Sequence, residues 1–113
     1  MKSRNKDQQA EPCWGHSDQA SAALHIELSG LEQYVFPYTE LSYAHRTKET
    51  DNDTQTLTIH YNDFIVTITG KQLEEISNHL QKQTLEWIKV SDVNHHSKNR
   101  SSIISSIEIE SAD

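Results

Sequence analysis

One stretch, residues 56–69 (TLTIHYNDFIVTIT), limits the fold more than any other part of the chain. Its halves are β-branched and aromatic runs separated by Asn62 and Asp63, residues that tolerate the left-handed backbone a two-residue hairpin demands. If Tyr61 faces Phe64 across the turn, then Ile59 faces Val66 and Leu57 faces Ile68, so six apolar side chains share one face. The other face holds Thr58, His60, Ile65, Thr67 and Thr69. Two strands that agree on their apolar side specify a hairpin lying on a core.

The flanking segments extend this unit. Leu24, Ile26 and Leu28 alternate with His25 and Glu27, the two-residue period of a half-buried strand. Gly30 and Pro37 mark residues 29–40 as a loop, although Leu31, Val35, Phe36 and Tyr38 within it are apolar enough to pack down. Residues 41–46 form a candidate second strand, and the polar run 48–56 an exposed connection. After the hairpin, Thr69 and Gln72 have the spacing of a capping box. Leu73, Ile76 and Leu80 then recur on one helical face, which predicts an amphipathic helix over 71–83 packed on the sheet. Residues 84–90 return to strand chemistry. The expected fold class is α+β: a small, mainly antiparallel sheet with one helix on one face and a following strand.

Composition sets the limits of this domain. Only 34% of the 113 residues are hydrophobic and the mean hydropathy is -0.77, low for a chain folded from end to end. Residues 1–22 read as a disordered polar tail, 23–90 as the single domain, and 91–113 as a second polar tail. Within the latter, the alternation at 103–109 reads either as a further strand, added in the same chain or across a dimer, or as a sticky piece of tail. A core this small often recruits a second copy, so a homodimer is the default expectation.

Ten Lys and Arg against 17 Asp and Glu give a net charge of -7, which argues against duplex nucleic acid and anionic membranes as partners. The one basic concentration is Lys2, Arg4 and Lys6, an arm that a nucleic-acid-associated regulator could use. A single cysteine, Cys13, excludes an internal disulfide. With no apolar run of about 18 residues to span a bilayer and no hydrophobic leader, a cytoplasmic location is expected.

Seven histidines raise the question of metal or acid/base chemistry. His60 on the hairpin, Asn62 and Asp63 in its turn, and His79 on the helix superficially resemble the site of ββα-metal nucleases. The register opposes this, because His60 projects away from the apolar face that the helix must cover. Cys13 and His16 are spaced like half a zinc site, but the other ligands would have to come from His95 and His96, across the whole domain. Cys13, with Glu11 and Asp18 nearby, lacks the surroundings of a reactive thiol. Gly70 and Lys71 at the start of the helix form no phosphate loop. The bland role of Gly70 is to let strand turn into helix.

No catalytic residue, cofactor or metal is therefore expected. The sequence points to a non-enzymatic protein-interaction or regulatory module, self-associating through a sheet edge or the open face around His60, Ile65 and Thr67. A small metal-dependent enzyme ranks below the nucleic-acid reading. Trp14 is the one aromatic without an assigned place: it either anchors a partner's pocket or folds back on the domain.

Overall fold

The computed structural model describes residues 12–49, 53–91 and 102–112. They form strands β1 (Trp14–His16), β2 (Ala23–Ser29), β3 (Glu32–Pro37), β4 (Leu41–Lys48), β5 (Thr54–Tyr61), β6 (Phe64–Lys71), β7 (Leu85–Lys89) and β8 (Ile103–Ser111), with a 3-10 turn at Tyr38–Glu40 and helix α1 at Glu74–Gln81. Of the described residues 61% are strand. There are two four-stranded sheets, in the orders β1-β7-β2-β3 and β4-β5-β6-β8. All pairings are antiparallel except β2 with β7.

The hairpin register is the one its alternation implies: Leu57 lies opposite Ile68 and Ile59 opposite Val66. Leu57, Ile59, Val66 and Ile68 are fully buried and Tyr61 nearly so. Phe64, the first residue of β6, keeps to this face at its rim: it is 38% exposed, and its ring meets the buried Phe36 edge-on with centroids 5.7 Å apart.

What covers this face is the main departure from expectation. A single sheet roofed by a helix is replaced by a second sheet, whose Leu24, Ile26, Phe36, Leu85 and Ile88 join the hairpin residues in one core cluster. Phe36 of β3 stacks on Tyr61 of β5 with ring centroids 4.5 Å apart, a direct contact between the sheets. One helix of eight residues covers too little apolar surface for a four-stranded face, and two sheets facing each other solve the same burial problem. Two strands of the added sheet come from segments read as irregular. β3 occupies the expected loop at 29–40, its Pro37 tolerated at the end of an edge strand. β1 lies in the expected tail through residue 22, where Cys13 is buried and Trp14 pairs with Ile88. Residues 1–11 of that tail and residues 92–101 and 113 of the other lie outside the described residues, as do residues 50–52 of the polar connection.

The helix also begins later than the capping box implies. Strand β6 runs through Lys71, Gln72 turns the chain at φ 55, and the N-cap position falls to Leu73. The cap comes from β5 instead: Gln55, 3% exposed, accepts the Leu73 amide at 2.9 Å and donates to the Glu74 carboxylate at 3.2 Å. At the other end Gln83 adopts φ 62 while its amide bonds Leu80 O and the Thr84 amide bonds His79 O, the paired bonds of a Schellman ending. The side chains of Leu73, Ile76 and Leu80 are buried in the core.

The alternatives for residues 103–109 resolve into a strand in the same chain: β8 pairs with β6 along its length. A bulge opposite Thr69 and Gly70 shifts the register, so fully buried Ile104 and partly buried Ile107 and Ile109 all reach the core despite their unequal spacing. Gly70 serves this pairing. A Cβ there would lie 1.9 Å from Ile103 O, so its role is close approach of β8 rather than the strand-to-helix turn.

Candidate functional site

The core face of the second sheet is closed, and its chemistry lies on the other side. Cross-strand pairing aligns three rows there. Tyr43, His60, Ile65 and Glu110 form one, His45, Thr58, Thr67 and Glu108 the next, and Thr47, Thr56, Thr69 and Ser106 the third. Strand alternation explains why these side chains share a side, since their chain neighbours Ile59, Tyr61, Val66 and Ile68 are buried.

Three of the rings form a near-parallel group. Tyr43 stacks on His60 at 4.1 Å and 12°, and His45 lies 5.9 Å from His60 at 22°. Tyr43 is 56% exposed, an apolar ring in contact with water on an edge strand whose residues 42–48 are all exposed. Ile65 and Thr67 continue the surface, both partly exposed. Glu108 and Glu110 on β8 bound it on the far side, also exposed. The face thus runs from aromatic and imidazole groups at β4, through threonines, to carboxylates at β8. Arg46 and Lys48 belong to the opposite side of β4, by their pairing with Leu57 and Gln55, and Arg46 lies 3.7 Å from the Glu74 carboxylate.

Of the four residues singled out from the sequence, the structure brings His60, Ile65 and Thr67 together and sets Trp14 on the other sheet. Tyr43 and His45 were missed. Residues 41–46 read as a strand, but only the alternation of Tyr43, His45 and Thr47 with Ala44 and Arg46 could have shown that β4 adds rings to the threonine face.

Trp14 belongs to a second ring cluster. Its indole is 5.2 Å from His79, which stacks on His16 at 4.2 Å and 20°. His79 Nδ1 lies 2.8 Å from Thr84 Oγ1. Burial, then the neighbouring His16 and Lys82, lower the His79 pKa. His60 and His79 therefore sit in separate clusters, each with other partners. Cys13 is separated from His16 in the same way: its thiol is buried beside Ser102 O at 3.5 Å, and burial raises its pKa. Among the described residues no three His, Cys, Asp or Glu side chains converge as metal ligands. His95 and His96, and Lys2, Arg4 and Lys6, lie outside the described residues.

Among the described residues no helix is long and apolar enough to cross a membrane. The chain matches no family model, no curated protein and no solved structure.

Proposed function

We propose that this protein is a non-enzymatic interaction or regulatory module of the cytoplasm that associates with itself through the open face of its second sheet. The observation that carries the reading is the stacked Tyr43, His60 and His45 group beside Ile65 and Thr67. An aromatic ring on a sheet face loses surface to water when a partner covers it, and aromatic residues are enriched where proteins meet. The face is made from regular strands backed by a packed core, so it presents a fixed shape at little entropic cost.

Sedimentation equilibrium over a wide concentration range tests the reading. The average mass is expected to rise above the 13.0 kDa of one chain, and the double variant Tyr43→Glu, Ile65→Lys is expected to return it to that value. A wild-type chain that stays monomeric at the highest concentration overturns the proposal.

A further inference from the structure

Cross-strand register specifies how two copies would meet, an inference that rests on the self-association just proposed. The strand order β4-β5-β6-β8 places the imidazole of His45 and the carboxylate of Glu108 at opposite ends of one row, with Thr58 and Thr67 between them. Strands in a sheet lie about 4.8 Å apart, so the two ends are separated by three spacings, roughly 14 Å. They are too far apart to pair within one chain and suitably placed to pair between two.

We infer that the partner on this face is a second copy, turned about a two-fold axis that runs along the strands between β5 and β6. That rotation carries β4 of one chain over β8 of the other. His45 of each then faces Glu108 of its mate, and Tyr43 faces Glu110, with its hydroxyl able to donate to the carboxylate. His60 covers Ile65, and the threonines of both chains fill the centre. Each contact occurs twice, as an isologous interface requires. Other placements lose this match. A two-fold axis across the strands sets β4 on β4 and β8 on β8, opposing the carboxylates of Glu108 and Glu110 to those of the second chain. Pairing along the β4 edge brings together two copies of His45, Arg46 and Lys48. The complementarity therefore selects one of the ways the sheet could dimerise.

Charge reversal in a heterodimer tests this arrangement. His45 and Glu108 are both exposed, so His45→Glu and Glu108→Lys leave the core untouched. His45→Glu opposes two carboxylates twice in its homodimer and is expected to weaken self-association by about tenfold or more, and Glu108→Lys removes both carboxylates that His45 faces and is expected to weaken it by a smaller factor. Mixed in equal amounts, the two chains form a pair in which the new lysine faces the new glutamate while the remaining native His45 and Glu108 face each other. Association measured by sedimentation at low salt is expected to return to within a few fold of wild type. If wild type associates but the single variants associate equally well, or the mixture shows no recovery, the two-fold arrangement is wrong and self-association stands. If wild type never associates, the reading beneath it falls, and the arrangement with it.

Discussion

Replacing Gly70 by alanine separates two accounts of one residue. As a hinge between strand and helix, Gly70 would accept a methyl group at small cost, and in a strand interior alanine is ordinarily favoured over glycine by roughly 0.5–1 kcal/mol. In the structure the added Cβ meets Ile103 O at 1.9 Å, Ile103 C at 2.9 Å and Ile104 Cα at 3.0 Å, all of them backbone. A carbon and a carbonyl oxygen approach to about 3.3 Å at closest, so β8 would have to retreat by roughly 1.4 Å. That strains the ladder where Gly70 pairs with Ile104 and Lys71 with Ile103, and it draws Ile104 out of the core where it is fully buried. Losing part of an isoleucine's burial, worth roughly 1.5–3 kcal/mol in full, and one or two backbone bonds at about 1 kcal/mol each gives a net destabilisation of roughly 2–3 kcal/mol. Urea unfolding followed by circular dichroism would show it as a midpoint lowered by roughly 1–2 M. Gly30→Ala is the internal control, because a Cβ at Gly30 meets nothing within 4 Å, and its unfolding free energy should stay within about 0.5 kcal/mol of wild type. A Gly70→Ala protein as stable as the Gly30 control would refute the close packing of β8 on β6.

Three further outcomes are expected. Gln55→Leu strands the buried Leu73 amide that Gln55 now caps and should cost about 1–3 kcal/mol in the same unfolding measurement. Gln83→Gly relieves a left-handed residue at φ 62 and should stabilise by roughly 1 kcal/mol, read as a raised midpoint. The lowered pKa of His79 means that the unfolded chain takes up this proton first as pH falls. Its contribution to stability is full above the unfolded value near 6.5 and is lost as pH drops toward the lower folded value. NMR titration should place its midpoint below that of a free histidine, and His16→Ala should move the midpoint upward.

The sequence disclosed what local pattern controls. The hairpin register at Leu57, Ile59, Val66 and Ile68 follows from two strands sharing one alternation, and the separation of His60 from His79 follows from that register. Contacts made at long range were hidden. The three-residue β1 is too short to show a period, and Pro37 disguised β3 because proline weighs against central strands but not against the end of an edge strand. The bulge on β8 broke the alternation that would have assigned Ile104 and Ile107 to one side. Gln55 reads as a polar residue in a connection until the fold sets it under the helix. The threonine face was legible on β5 and β6, and its aromatic border was not, because Tyr43 and His45 join it through a pairing that spans the intervening connection.

The most direct test of the open face is an NMR concentration series on the isotope-labelled chain. Raising the concentration should move the resonances of His45, Thr58, His60, Ile65, Thr67 and Glu108 together, while those of His25, Val35 and Trp87 on the first sheet stay fixed. Shifts that are independent of concentration, or that gather on the first sheet instead, would contradict the account.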